Sequence, residues 1–257
     1  MMMKSKKLLA FAVSAFLFAF SVSCSEDSAN DDGNNNENNS SEIQETGNGG
    51  KTTDWKDGYI TFYGQPSSND SYPYPLPEME KGYYNVAPGV YFFPDLILGS
   101  AYEIKYGDKT IRVIAKDICP DGDNSWFDNT PEAFEYLTGN KALGKVNVKW
   151  RETPYYTGKN ITVKIKNGSN NWFLGVYVFN GRYGVAKVEL SKDGKQFYEM
   201  KPYNYKMFWE LQCPFGEYNS SLTVRITDRY GHVVTGVMKM TGVQDGKVYD
   251  MGKNFDY

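Results

Sequence analysis

Apolar and polar residues alternate with a period of two along several short stretches of the chain, a period typical of half-buried β-strands. In the N-terminal half these stretches span residues 59–64, 111–115 and 146–150, and in the C-terminal half they span 161–165, 186–190 and 222–226. The dipeptides Gly107-Asp108 and Asp193-Gly194 are typical of turns between paired strands. The pattern therefore predicts a mainly β protein, with about seven short strands and no helix after residue 155.

One helix is expected in the N-terminal half, directly after residue 130. Thr130 suits the N-cap, Pro131 the first helical position and Glu132 the positive end of the helix dipole. Ala133, Phe134 and Leu137 give the helix an apolar side, and Gly139 is a stop signal.

Aromatic residues and charge refine this picture. The chain contains 21 Tyr, 15 Phe, 5 Trp and 25 Gly, a composition typical of many short strands joined by tight turns. The formal net charge of −3 excludes a protein that binds nucleic acid over its whole surface. Residues 54–154 carry 10 basic and 15 acidic side chains, whereas residues 155–257 carry 14 and 9. The basic C-terminal part favours acidic polymers as partners, or attraction between the two parts of the chain.

The N-terminus reads as an export signal. Lys4, Lys6 and Lys7 precede an apolar run over residues 8–20, which is shorter than a typical transmembrane helix. Residues 21–24 resemble a lipobox, so we expect residues 1–24 to be a lipoprotein signal peptide with Cys24 as the lipid attachment site. The protein would then be an outer-membrane or cell-surface lipoprotein. The alternative is ordinary signal cleavage and secretion.

Residues 25–53 are polar and almost free of apolar side chains, so they are predicted to be a disordered tether. Two folded domains follow, over residues 54–152 and 155–257.

Two carboxylates of the first domain could line a cleft. Asp117 follows a predicted strand, and Asp128 comes just before the predicted helix, close to the aromatic Trp126. The alternative is that Asp128 is only a cap or turn residue. Asp121 and Asp123, in the intervening loop, are the only nearby candidates for a second carboxylate paired with Asp128, but Asp is common in turns and both are expected to be solvated.

The first domain resembles the first domain of expansins. The resemblance rests on three runs in order: Asp117-x-Cys119-Pro, then Asp128-x-Thr-Pro-x-Ala-Phe, then Gly144-x-Val-x-Val-x-Trp150. The run Thr61-Phe-Tyr63-Gly adds to it. The resemblance implies a six-stranded double-psi β-barrel with a sugar-binding groove. Implied groove residues are Asp128, Asp117, Tyr63, Thr61, Trp126 and Cys119, with Asp128 at the position of a glycosidase general acid.

In the second domain, the runs Asn170-Asn171-Trp172-Phe173 and Tyr203-Asn204-Tyr205 resemble the binding motifs of family 63 carbohydrate-binding modules. The resemblance implies an immunoglobulin-like β-sandwich that binds cellulose. The implied binding residues are Trp172, Phe173, Lys166 and one tyrosine of the pair Tyr203 and Tyr205. Trp172 shares strand parity with apolar Leu174, so both aromatics can face solvent only if the strand begins after them or bulges. The alternative is that one of the two belongs to the core.

The resemblance implies a monomeric, non-hydrolytic protein that loosens plant cell walls. Its expected partners are cellulose and matrix polysaccharides such as xyloglucan, xylan and pectin, with the membrane reached through the lipid at Cys24. No cofactor, metal or nucleic acid is expected. Inverting hydrolysis would need a base as well as an acid, and the sequence offers no clear base. The alternatives are a family 45-like endoglucanase, a peptidoglycan lytic transglycosylase and a surface adhesin.

Two smaller features carry expectations of their own. His232 is the only histidine and has no second ligand at metal-binding spacing, so it is not expected to bind a metal. Cys119 and Cys213 lie in different domains and are either free thiols or a bridge between the domains.

Overall fold

The structure is a computed structural model that describes residues 50–64, 83–89, 96–122 and 125–256. The expected signal peptide with Cys24, residues 25–49 of the predicted tether and Asp123 lie outside the described residues. No helix among the described residues is long and apolar enough to cross a membrane.

Six strands close into a barrel in the first domain. They are β1 (Lys56–Phe62), β2 (Tyr83–Pro88), β3 (Ala101–Tyr106), β4 (Lys109–Ala115), β5 (Trp126–Asn129) and β6 (Val146–Thr153). Around the barrel the order is β1-β5-β2-β4-β3-β6, and β6 pairs with β1. The pairs β1–β5 and β2–β4 are parallel.

The barrel core is aromatic and aliphatic. Ile60, Tyr102, Val113, Phe127 and Trp150 are at most 3% exposed and pack in one cluster. The rings of Phe127 and Trp150 meet edge to face at 5.3 Å.

The helix α1 (Pro131–Thr138) confirms the prediction from its end signals. The Thr130 hydroxyl accepts from the Ala133 amide, and Gly139 takes a left-handed conformation with φ of 73°. Ala133, Phe134 and Leu137 are buried against the barrel core. A short 3₁₀ helix (Lys141–Leu143) leads on to β6.

The second domain is a sandwich of two sheets. Its strands are β7 (Thr162–Ile165), β8 (Phe173–Phe179), β9 (Val185–Ser191), β10 (Tyr198–Glu199), β11 (Lys201–Tyr203), β12 (Phe208–Gln212), β13 (Leu222–Asp228), β14 (Val233–Met238) and β15 (Val248–Asp250). One sheet has the order β10-β9-β13-β14 and the other β11-β12-β8-β7-β15. The fold class predicted from the sequence, a mainly β barrel followed by a β-sandwich, is confirmed.

The described part of the second domain has nine strands, against about seven predicted. Strands β10, β11 and β15 have only two or three residues each, too few to show an alternating pattern.

The pattern also predicts Ala186, Val188 and Leu190 on one buried face of β9. Val188 and Leu190 are buried, but Ala186 is half-buried and Val185 is buried instead. The register between β9 and β13 shifts at this end of the strand. A β-bulge there turns the side chains over, which a period of two cannot anticipate.

The two domains meet closely. The Leu98 amide of the barrel donates to the Tyr205 carbonyl of the sandwich (3.0 Å). Gly184 approaches the barrel so closely that a Cβ there would lie 2.3 Å from the Ser100 hydroxyl oxygen. Only glycine fits at this position unless the side chains of Ser100 and Ile97 move.

The segment before β1 touches both domains. The Lys51 amide donates to the Tyr183 hydroxyl of the sandwich (2.6 Å), and the Thr53 amide donates to the Glu152 carbonyl of β6 (3.1 Å). The sequence assigns Lys51 and Thr53 to the tether, but they are hydrogen-bonded to the folded part of the chain.

Candidate functional site

Strands β1 and β5 bring the first group of candidate residues together. Their parallel register places Thr61 beside Asp128 and Tyr59 beside Trp126. These four residues alternate with Ile60 and Phe127, which fill the barrel core, so they lie on the opposite face of the strand pair. We call Tyr59, Thr61, Trp126 and Asp128 the barrel strip.

The sequence did not predict β5. The sequence assigned no element to residues 126–129 and left Asp128 as either a cleft residue or a cap or turn residue. Four residues are too few for a periodic signal, and the strand is fixed by pairing with β1 and β2, which are distant in sequence. The helix is capped by Thr130, so Asp128 is a strand residue rather than the cap.

Asp128 is the central group of the barrel strip. It is 6% exposed, and its Oδ1 accepts a hydrogen bond of 2.6 Å from the Thr61 hydroxyl. The Thr61 oxygen in turn accepts a hydrogen bond of 2.6 Å from the Trp126 indole N–H. Burial raises the pKa of Asp128 to about 6, and the hydrogen bond from Thr61 limits that rise. The carboxyl group therefore holds a proton in mildly acidic solution.

Aromatic rings lie next to this carboxyl group. The rings of Tyr59 and Trp126 are stacked with centroids 5.8 Å apart, and both side chains are half-buried. The ammonium group of Lys145 lies 3.5 Å from the centroid of the Tyr59 ring. Tyr59 and Lys145 were not predicted as site residues. Tyr59 shares strand parity with Thr61, and that was the available signal.

Asp117 is held away from Asp128 by β2. The amides of Lys116 and Asp117 donate to the Val86 carbonyl on one side of β2, and Asp128 pairs with Ala87 on the other side. Two strand spacings, about 10 Å, therefore separate the two backbones. The Asp117 carboxylate accepts from the adjacent Ile118 amide.

The other predicted groove residues lie around this centre. Cys119 is buried, and its amide donates to the Pro88 carbonyl. Tyr63 follows β1, and its amide donates to the Asn129 carbonyl. Asp121 is exposed, as expected for a loop carboxylate.

In the sandwich, Trp172 and Phe173 both lie outside the core. Trp172 comes before β8 and is 61% exposed. The Asn170 side chain accepts from the amides of Trp172 and Phe173, which ends the strand pattern there. Phe173 is half-buried and lies on the face of β8 opposite to the buried Leu174.

Tyr203 and Tyr205 have different environments. Tyr203 is 49% exposed and stacks on Phe208 with centroids 4.5 Å apart. Tyr205 packs against the barrel core, and its carbonyl accepts from the Leu98 amide of the barrel. The exposed tyrosine of the pair is therefore Tyr203.

Lys166 and Phe208 fill the space between these aromatics. A Cβ on Gly175 would lie 3.1 Å from the Lys166 side chain, and the Lys166 ammonium lies 5.0 Å from the Phe208 ring centroid. Phe208, which was not predicted, pairs with Tyr203. We call Trp172, Phe173 and Tyr203 the sandwich platform. Tyr203 pairs with Phe208 and Phe173 pairs with Gln212, at the two ends of β12. The sandwich platform therefore extends roughly 13 Å along β12, which is long enough for more than one sugar ring.

His232 and the cysteines have ordinary surroundings. His232 Nδ1 lies 2.7 Å from Asp228 Oδ2, and its ring stacks on Tyr183. No disulfide joins Cys119 and Cys213. Within the described ranges no group of three or more His, Cys, Asp and Glu residues could hold a metal ion.

Comparisons with known proteins agree with this fold. The chain is 34% identical over 184 residues to Expansin-YoaJ of Bacillus subtilis (strain 168), covering 70% of this chain and 77% of that protein. It is 26% identical over 167 residues to Expansin-like protein 6 of Dictyostelium discoideum, covering 61% of this chain and 55% of that protein. No protein-family model matches the chain.

Solved structures show the same architecture. The crystal structure of the apo expansin of Clavibacter michiganensis superposes with a TM-score of 0.65 at 22% identity, covering 79% of this chain and 98% of that one. The same values hold for an aspartate-to-asparagine mutant of that expansin in complex with cellohexaose. With a relative at 34% identity over most of its length, and with the barrel and sandwich in the same order, this chain belongs to the expansin family.

Proposed function

We propose that this protein is an expansin that loosens plant cell walls without hydrolysis, by binding cellulose and associated polysaccharides. The observation that carries this proposal is the protonatable Asp128 beside the aromatic pair of the barrel strip. In its protonated form the carboxyl group can donate a hydrogen bond to a glucan oxygen. In its ionised form it can only accept one. It can therefore compete for the hydrogen bonds that hold one glucan chain to its neighbour.

Hydrolysis needs more than this acid. An inverting glycosidase places a base about 6.5–9.5 Å from the acid to activate water. Of the two loop candidates that the sequence offers, Asp121 is exposed and Asp123 lies outside the described residues. Asp117 lies across β2, and its carboxylate accepts from the adjacent backbone amide. We therefore infer that water is not activated at Asp128 and that glycosidic bonds stay intact.

The sandwich platform supplies most of the affinity in this proposal. Trp172 and Tyr203 expose large apolar ring faces, and such rings stack on the flat faces of β-linked sugars at little entropic cost. The expansin of Clavibacter michiganensis has been crystallised as a mutant with cellohexaose, which supports a glucan ligand here. Xyloglucan, xylan and pectin are further candidate ligands.

The site of action is the cell surface in this proposal. The export run ending at Cys24 supports a lipid-anchored monomer on a polar tether, with secretion as the alternative. A tether over residues 25–49 would let the folded part reach a polymer outside the membrane.

One pair of measurements tests the proposed function. Purified protein should increase the extension of cellulose paper strips under constant load, while the same incubation releases no reducing ends from cellulose, β-glucan, xylan or peptidoglycan. Sustained release of reducing ends would instead identify a glucanase or a lytic transglycosylase. Binding without extension would identify an adhesin.

A further inference from the structure

Glu210 lies midway between two rings of the sandwich platform. Strand β12 separates β11, which carries Tyr203, from β8, which carries Phe173. Tyr203 pairs with Phe208 at one end of β12. Phe173 pairs with Gln212 at the other end, two residues beyond Glu210. On each side of Glu210, the line that joins the two rings runs about 5 Å across the sheet and about 7 Å along the strand. A glucan chain that stacks on both rings must therefore cross Glu210.

The Glu210 side chain points to the platform side of the sheet. Side chains alternate along a strand, and the neighbours Trp209 and Leu211 pack in the sandwich core. Glu210 therefore faces away from that core together with Phe208, on which Tyr203 stacks at 4.5 Å. The Glu210 side chain is half-buried, so it forms part of the floor between the rings.

The residues beside Glu210 on the neighbouring strands leave it accessible from above. Glu210 pairs with Lys201 on β11 and with Gly175 on β8. Gly175 carries no side chain, and the stem of Lys166 lies against it, 3.1 Å from the place of a Cβ. An ionised carboxylate only accepts hydrogen bonds, whereas lysine only donates them. Donor, acceptor and donor therefore follow one another across the sheet, an arrangement that fits sugar hydroxyl groups, which do both.

We propose that Glu210 is a specificity-determining residue of the sandwich platform, where it accepts hydrogen bonds from hydroxyl groups of the glucan unit between Tyr203 and Phe173. A unit with a carboxylate in place of its C6 hydroxyl loses a donor and brings a like charge to Glu210. The platform therefore selects neutral β-glucan chains, against the general attraction of the basic second domain for acidic polymers. This inference rests on the proposed function, since it defines the substrate class of the same platform.

Two soluble ligands test the role of Glu210 in full-length protein: cellohexaose, and cellohexaose with its C6 hydroxyls oxidised to carboxylates. Isothermal titration calorimetry measures both affinities. Glu210→Ala should lower the affinity for cellohexaose about tenfold, because a charged acceptor is lost. Glu210→Gln keeps an acceptor oxygen without the charge, and should reduce the preference for cellohexaose at least threefold through tighter binding of the oxidised ligand. Glu199→Gln removes the same charge from β10 in the other sheet and should leave both affinities unchanged.

The possible outcomes separate this inference from the proposed function. Equal melting temperatures of the wild type and Glu210→Gln, with a changed preference, support the role of Glu210 and exclude unfolding as the cause. Cellohexaose binding that depends on Trp172 but is the same in the wild type and both Glu210 variants would overturn the inference and leave the proposed function intact. A wild type that binds no cellohexaose would overturn both.

Discussion

Arg229 holds Glu152 across the junction between the two domains. Its Nη1 lies 2.7 Å from Oε1 and 2.8 Å from Oε2 of that carboxylate, and the Tyr230 hydroxyl donates to Oε2. Glu152 belongs to β6 of the barrel, whereas Arg229 follows β13 of the sandwich. Both side chains are at most 14% exposed. Because both groups are largely buried, water screens their attraction only weakly. The pair therefore helps to hold the barrel strip in place relative to the sandwich platform.

Removal of Arg229 should be costly. Arg229→Met leaves the Glu152 carboxylate buried without its cation, so we expect a loss of about 3–5 kcal/mol in the free energy of unfolding. The double variant Arg229→Met with Glu152→Met should recover much of that loss, because no charge is left buried. Denaturant unfolding of the two single variants and the double variant measures the coupling. A single variant as stable as the wild type would show that the pair contributes nothing.

The local signals in the sequence were sufficient for α1. Its cap, its first proline and its terminal glycine act within ten residues, and each takes the predicted role. The barrel was predicted because motif runs in family order implied it, not because alternation alone defines closure.

Non-local contacts could not be predicted in the same way. β5 is four residues long and depends on β1 and β2 for its hydrogen bonds. The Arg229–Glu152 pair joins residues 77 positions apart. Lys145 reaches the ring of Tyr59 only because β6 pairs with β1. A pattern in one segment carries no information on which distant segment will lie beside it.

Trp172 provides the second prediction. Trp172→Ala should weaken binding to insoluble cellulose by about 2 kcal/mol, or roughly 30-fold, because a stacking ring is lost. The melting temperature should barely change, since the side chain is 61% exposed. Pull-down isotherms on cellulose and calorimetric melting measure the two effects. Tyr136→Ala, which removes an exposed ring of α1, is the matched control and should bind as the wild type does.

The neighbouring tyrosines sharpen that test. Tyr203→Ala should also weaken cellulose binding without loss of stability, whereas Tyr205→Ala should lower the melting temperature because Tyr205 packs against the barrel core. If Tyr205→Ala weakened binding and Tyr203→Ala lowered the melting temperature, Tyr203 would not belong to the sandwich platform.

The third prediction is that Cys24 anchors the protein to the membrane. Cys24→Ser should move the protein from the membrane fraction to the soluble fraction, because the acylated thiol is the expected anchor. Fractionation of expressing cells, with metabolic labelling by a fatty acid, gives the measurement. A variant that remains with the membrane would show that Cys24 is not the anchor, and a wild type without label would show ordinary export instead.

Thr61 should tune the carboxyl group of the barrel strip. Thr61→Val keeps the shape but removes the hydroxyl that donates to Asp128, so the pKa of Asp128 should rise further. The Trp126 indole N–H also loses its acceptor. Thr61→Ser keeps the hydroxyl and is the control. Carbon-13 NMR titration of the aspartate carboxyl groups measures the pKa, and an unchanged value in the valine variant would contradict this role.

Asp128 links stability to pH, and the direction can be worked out. Its pKa of about 6 in the folded protein exceeds the ordinary value of 3.8, so the folded state binds more protons between these two pH values. The contribution of Asp128 to stability is complete below pH 3.8 and is lost as the pH rises through about 6, by up to about 3 kcal/mol. Asp128→Asn removes the titrating group. The melting temperature of the wild type, relative to that of this variant, should therefore fall across this range.

The same substitution tests the function of the barrel strip. An asparagine side chain donates only through its nitrogen and accepts only through its oxygen, and it has no proton to give up, whereas the carboxyl group can lose its proton and turn the donating oxygen into an acceptor as a glucan chain moves past it. Asp128→Asn should therefore abolish the extension of cellulose paper, while cellulose binding through the sandwich platform stays nearly intact. In the wild type, extension should decline as the pH rises through about 6, because the proton is lost. Measurement of extension, binding and reducing ends on the same samples separates the cases. Sugar release by the wild type that disappears in Asp128→Asn would mean that Asp128 is the acid of a hydrolase.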